Sequence, residues 1–83
     1  MSEWVEVRVP RLGDDVATAV LVAWHVAEGD RVRDGDVLFE VETDKAVFEV
    51  EAEVDGVVIE VLAEPGARVS PDQVVARIRP EAA

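Results

Sequence analysis

The sequence predicts an all-β domain, and three observations carry that expectation. Nineteen of its 83 residues are valine, a β-branched residue that fits a pleated surface better than a helix. Apolar residues recur at every second position over several short runs, and no long 3.6-residue stripe competes with them. Glycine, proline and aspartate clusters separate the runs at regular intervals, as they do in small sandwiches and barrels.

The elements follow in order. Val5, Val7 and Val9 alternate with Glu6 and Arg8, the pattern of a strand with one covered and one wet face. Residues 20–26 are more continuously apolar, as central or two-sided strands often are. Val37, Phe39 and Val41 then alternate with Leu38, Glu40 and Glu42. Ala46, Phe48, Val50 and Ala52 alternate with Val47, Glu49, Glu51 and Glu53, so Ala46 is expected to open an inward-facing series. Residues 57–62 repeat the continuous apolar pattern. Breaks fall at Gly13-Asp14-Asp15, Glu28-Gly29-Asp30, Asp34-Gly35-Asp36, Asp55-Gly56, Pro65-Gly66 and Ser70-Pro71.

An internal repeat adds symmetry. Shifted by 37 residues, Val20, Gly29, Arg31, Val32 and Val37 fall on Val57, Gly66, Arg68, Val69 and Val74. In Glu64-Pro65-Gly66-Ala67 proline and glycine hold the second and third places of a type II turn, and Ala27-Glu28-Gly29-Asp30 keeps the glycine where positive φ is needed. Two similar halves predict a sandwich with an approximate two-fold axis, and its midpoint is the hairpin around residues 42–46.

Composition narrows the function. Nineteen acidic against eight basic residues give a net charge of −11. Such a surface suits neither nucleic acid nor an anionic membrane, because both demand cations. No apolar run reaches the roughly 20 residues of a spanning helix, and no targeting segment is visible. Zero cysteines exclude a disulfide framework, a thiolate nucleophile and a cysteine metal site. At this length about 60% of the unfolded surface is buried, so little core is left to enclose an active site.

Seven of the eight cations are arginine, and the only lysine is Lys45. Its amine can be acylated, which a guanidinium in practice cannot. Lys45 falls between the two best alternating runs, in Thr43-Asp44-Lys45, where Thr43 and Asp44 are expected to bond back to the turn backbone. A lysine at a hairpin tip stands clear of the surface with its direction fixed by two strands.

Glu42-Thr43-Asp44-Lys45-Ala46 resembles the lipoylation motif of the lipoyl domains of dihydrolipoamide acyltransferases, the E2 components of 2-oxo acid dehydrogenase complexes. The resemblance runs from about Val5 to Ile78, through Val9-Pro10, Gly13-Asp14-Asp15, Trp24, Glu28-Gly29-Asp30, Asp36-Val37-Leu38 and Gly56-Val57-Val58 to Pro65-Gly66. It implies a flattened barrel of two four-stranded antiparallel sheets with internal two-fold pseudosymmetry. Residues 1–79 would form the domain and residues 80–83 the start of a linker or tail. It also implies lipoic acid in amide linkage on Lys45. This swinging arm would carry acyl groups and reducing equivalents between the thiamine-dependent E1, the E2 catalytic core and the E3 dihydrolipoamide dehydrogenase. A lipoate ligase, or an octanoyltransferase with lipoyl synthase, would install it. The domain itself would be a monomeric, cytoplasmic bacterial carrier without its own active site.

The chain departs from the family pattern in one loop. Relatives often carry Glu-Gly where this chain has Thr18-Ala19, and a second glycine where it has Asp15. The resemblance implies that this loop, with Leu12, Gly13, Asp14, Asp15 and Thr18, tunes recognition by E1.

Rival readings fit less of the sequence. A biotinyl domain of a carboxylase shares the fold and the hairpin lysine but favours Met-Lys-Met, whereas Asp44 and Ala46 flank Lys45 here. A glycine-cleavage H protein is longer and has a helical end. A phosphopantetheine carrier needs an Asp-Ser-Leu helix, and the serines are Ser2 and Ser70. An unmodified β-sandwich interaction module leaves the single lysine unexplained. His25 is the lone histidine, next to Trp24 with no nucleophile near in sequence, so a structural role is expected. Asp30, Asp34 and Gly35 loosely match a calcium loop, but Val32 and Val41 stand where it needs oxygen ligands, so no metal site is expected. Trp4 and Trp24 are expected to pack on or cap the core.

Overall fold

Alternating valines form strands where one face can be covered, and this chain does so eight times. The computed structural model describes residues 4–13 and 17–81. Its strands are β1 (Val5–Arg8), β2 (Ala19–Trp24), β3 (Arg31–Val32), β4 (Val37–Glu42), β5 (Val47–Glu51), β6 (Gly56–Val61), β7 (Arg68–Val69) and β8 (Val74–Pro80). They make two four-stranded antiparallel sheets, ordered β1-β8-β6-β3 and β5-β4-β2-β7. Every regular element among the described residues is a strand.

The predicted repeat is a two-fold relation between the sheets. Gly29 N donates to Val58 O at 2.7 Å, and Gly66 N donates to Leu21 O at 2.8 Å; each partner lies 37 residues from its counterpart. Gly29 and Gly66 both have positive φ, at 95° and 93°, and the turns close through Asp30 N to Ala27 O at 3.0 Å and Ala67 N to Glu64 O at 2.9 Å. Glycine meets that backbone demand without a Cβ clash. The symmetry reaches further than the sequence repeat. β1 matches β5 as well, with an offset of 43: Val37 pairs with Glu51 as Val74 pairs with Arg8, and Phe39 with Val50 as Ala76 with Val7. The larger offset has a simple cause. The β1–β2 connection is residues 9–18 and the β5–β6 connection residues 52–55, so the first is six residues longer.

The inner faces join in one core. Leu21, Val32, Leu38, Phe39, Val41, Val58, Val69, Val75 and Ile78 are fully enclosed, and no polar side chain is buried among the described residues. Trp24 leans on Phe39 with ring centroids 4.9 Å apart, and its indole Nε1 donates to Ala63 O at 2.8 Å, which satisfies its polar edge.

Several details differ from the sequence reading. β2 is central in its sheet, yet only one face is covered: Leu21 is buried while Val20 and Val22 are 39% and 42% exposed. Leu38 is inside rather than outside, because the β4–β5 register slips between Val37 and Phe39 and a bulge changes which side chains face inward. Ala46 is exposed and belongs to the turn, so the inward series runs through Phe48, Val50 and Ala52. Trp4 does not cap the core. It is 44% exposed, with the Arg77 guanidinium 5.6 Å from its ring centre.

Candidate functional site

The β4–β5 hairpin carries Lys45. Ladder pairing ends at Glu42 opposite Val47, and four residues close the turn. Thr43 N donates to Ala46 O at 2.9 Å. The Thr43 hydroxyl holds most of what remains: Oγ1 accepts from Lys45 N at 3.1 Å and from Ala46 N at 3.2 Å, and lies 3.3 Å from Ala46 O, to which it can donate. Tight two-residue hairpins usually need positive φ, but Asp72 is the one non-glycine with positive φ among the described residues. The threonine hydroxyl thus supplies bonds that a primed turn would make with its backbone. The expected bond from the Asp44 side chain to the turn is not made; Asp44 is exposed instead. Lys45 is exposed at the tip between Asp44 and Ala46.

A groove of about 340 Å³ runs beside the turn, lined by Thr18, Ala19, Val20, Glu42, Thr43, Asp44 and Arg68. It brings Thr18, at the end of the β1–β2 connection, against the lysine turn, a neighbourhood the sequence did not indicate. Leu12 is buried in the core and Gly13 is exposed with φ 144°; Asp14 and Asp15 lie outside the described residues.

Arg68 was not singled out by the sequence reading. The repeat held the signal, because it superposes Arg68 on Arg31. Arg31 Nε meets Glu81 Oε1 at 3.1 Å at the two-fold related groove, which has about 170 Å³. Asp44 is the repeat partner of Glu81, but no ion pair joins it to Arg68, and the groove beside the lysine is twice as large.

A further cleft of about 570 Å³ opens between the edge strands β1 and β5, over Val7, Val9, Val50 and Ala52. It does not include the turn. His25 is half-exposed and bonds through Nε2 to Glu40 Oε2 at the surface. No group of three or more potential metal ligands occurs among the described residues, and no helix there is long and apolar enough to cross a membrane. Among the described residues, the turn offers the primary amine of Lys45 on an ordered support.

Comparison with known proteins agrees with this geometry. The biotin/lipoyl family model, described as "Biotin-requiring enzyme", matches residues 5–78. The succinyltransferase component of the Escherichia coli 2-oxoglutarate dehydrogenase complex is 43% identical over 75 residues, covering 90% of this chain and 18% of that protein. The acetyltransferase component of the Zymomonas mobilis pyruvate dehydrogenase complex is 38% identical over 73 residues, covering 87% of this chain and 17% of its own length. The chain therefore spans under a fifth of these relatives. The solution structure of the lipoyl domain of the Azotobacter vinelandii 2-oxoglutarate dehydrogenase complex superposes with a TM-score of 0.74 at 28% identity, covering 89% of this chain and 94% of that one.

Proposed function

The chain belongs to the biotin/lipoyl attachment family and is a lipoyl domain of the 2-oxo acid dehydrogenase acyltransferase type, and from that premise we propose that lipoic acid is carried in amide linkage on Nζ of Lys45. The observation that carries this reading is the chain's single lysine, exposed at the hairpin tip between Asp44 and Ala46 on a turn held by the Thr43 hydroxyl. The residues suit the group: a primary amine on an exposed residue at the tip of an ordered hairpin.

Attachment by a lipoate ligase uses lipoate and ATP. Nζ of Lys45 attacks the activated lipoyl carbonyl, a C–N bond forms, AMP leaves and Nζ gives up a proton. An octanoyltransferase followed by lipoyl synthase would reach the same amide. Once bound, the group supplies a dithiolane that accepts an acyl unit and two electrons. The chain's own work is then to hold, orient and present. Thr43 fixes the turn, β4 and β5 fix its direction, and Asp44 and Ala46 mark the lysine for the attaching enzyme.

In this reading the domain has no active site of its own and acts in the bacterial cytoplasm, serving E1, the E2 core and E3. The first curated relatives are succinyltransferase components of 2-oxoglutarate dehydrogenase complexes, which favours 2-oxoglutarate as the oxo acid. The exposed Gly13 and Thr18 are assigned with Asp14 and Asp15 to E1 recognition, and Leu12 is withdrawn from that surface because its side chain is buried in the core. The assignment is supported by Thr18 lining the groove beside the turn.

Incubation with a lipoate ligase, lipoate and ATP should add one lipoyl amide by intact mass, mapped to Lys45 after proteolysis. Efficient biotin transfer by a biotin ligase without lipoyl transfer would replace this reading with the biotinyl one.

A further inference from the structure

The two-fold axis gives every surface position on one sheet a counterpart on the other, built on the same backbone. Folding places equal demands on both outer faces, so a difference between them calls for another cause. Three of four ladder positions show such a difference. Glu40, Glu42 and Glu51 on the hairpin sheet correspond to Arg77, Arg79 and Arg8, while Glu49 corresponds to Glu6. On the β1–β8 side the charges answer one another: Arg77 reaches Glu60 and Glu6, and Arg8 bonds Glu6 at 2.8 Å. On the hairpin side Glu40 bonds His25 but lies directly across the ladder from Glu49, a like-charge pairing that weakens a sheet.

At two positions of β2 apolar exposure follows the same division, although Trp4, Val5 and Leu62 are exposed in the other half. Val20 and Val22 are 39% and 42% exposed, whereas their counterparts Val57 and Ile59 are half-buried. Val57 stands in register with Arg79 and Val20 with Glu42. An arginine stem can cover its apolar neighbour, and a shorter glutamate leaves it bare. Val47, at 52% exposure, closes the row beside the lysine turn, where Glu42 and Val47 are the last ladder pair.

We propose that the outer face of the β5-β4-β2-β7 sheet is the surface that the lipoate-attaching enzyme grips, through a basic face with an apolar centre, when it reaches Lys45. The inference rests on the carrier reading and adds a partner surface to it. An enzyme that takes Lys45 into its active site must hold the domain by surfaces bordering the turn. This face borders it, is rimmed by carboxylates and has bare valines at its centre. Arginine or lysine on the enzyme would answer the acids, speed the encounter and fix register, and the valines would lose water against its apolar centre.

The test measures steady-state lipoylation of the apo-domain by a bacterial lipoate–protein ligase, read by intact mass over a range of domain and salt concentrations. E40R/E51R transplants the arginines of the other face; D34R/E64R makes the same charge change at two exposed positions outside the strands. V22S removes apolar area from the centre. The wild-type KM should rise with salt. E40R/E51R should raise KM on the order of tenfold, leave kcat within about twofold and flatten the salt dependence. V22S should raise KM severalfold and D34R/E64R should match wild type. E40R gives up the bond to His25 but sets a guanidinium across the ladder from Glu49, as Arg77 stands across from Glu6, so melting is measured beside the kinetics; if the variant melts lower, V22S and the wild-type salt slope decide. An unchanged KM in E40R/E51R, or an equal rise in D34R/E64R, overturns the docking face. A wild-type domain that gains no lipoyl mass at all overturns the carrier reading instead.

Discussion

The two halves share a backbone plan but place their bulk differently. Phe39 and Trp24 occupy, in the hairpin half, the places that Ala76 and Val61 hold in the other. Phe39 and Ala76 are both fully enclosed, yet only the hairpin half has an aromatic pair beneath it. Ala19 and Gly56 also correspond. Ala19 is accommodated at 4% exposure, while a Cβ on Gly56 would stand 2.3 Å from the Arg79 carbonyl oxygen. Repeated strand geometry therefore does not fix side-chain volume. Volume is set by what each position meets, and the half that presents the lysine stands on the larger side chains.

Breaking that foundation should give the largest effect. Phe39→Ala should cost about 3–5 kcal/mol, the range for an enclosed aromatic truncated in a core, whereas Ala76→Gly should cost about 0.5–1 kcal/mol. Denaturant unfolding of both variants checks the contrast, and similar losses would mean that the aromatic pair is not the keystone of the hairpin half.

The Ala19 and Gly56 positions come next. Gly56→Ala should destabilise by about 1–3 kcal/mol, because backbone must shift to admit the methyl group. Ala19→Gly should lose only about 0.5–1 kcal/mol. A neutral Gly56→Ala would show that the close approach of β6 to β8 relaxes freely.

A smaller stability effect belongs to the turn. Thr43→Val keeps shape but removes the hydroxyl that accepts from Lys45 N and Ala46 N. The expected cost is about 1 kcal/mol, with lipoylation slowed severalfold, because the tip would sample more directions. Pro80→Ala, at the repeat-equivalent position, should change neither the melting temperature nor the lipoylation rate appreciably. Equal lipoylation by Thr43→Val and wild type would separate turn order from attachment.

The same comparison explains what could be read from the sequence. β1, β4 and β5 were legible because valine and phenylalanine alternate with glutamate, and charge marks the wet face. β3 and β7 were not, since two residues are too few for any period and Arg31–Val32 and Arg68–Val69 pair only through their neighbours. The exposed outer side of β2 was hidden because Val20 and Val22 read as core, and only the coordinates show them 39% and 42% exposed. Leu38 was misplaced by a bulge that alternation cannot show. The turn at Lys45 was legible, being a sole lysine between two alternating runs, but the hydroxyl bonds of Thr43 needed coordinates. The groove beside it was not foreseen, as Arg68 lies 23 positions from Lys45 in the chain and joins it only through β2.

The central claim is that position on an ordered hairpin makes Lys45 the attachment site. The most direct measurement exchanges Asp44 and Lys45 at constant composition and charge, and compares the initial lipoylation rate by intact mass with that of wild type. Both residues are exposed, and surface changes usually stay within about 0.5 kcal/mol, so the exchanged domain should melt close to wild type. One step along the turn swings the side chain to another direction, and the account predicts a rate reduced on the order of a hundredfold (near 3 kcal/mol in activation free energy). A normally folded exchange variant lipoylated as fast as wild type would contradict it.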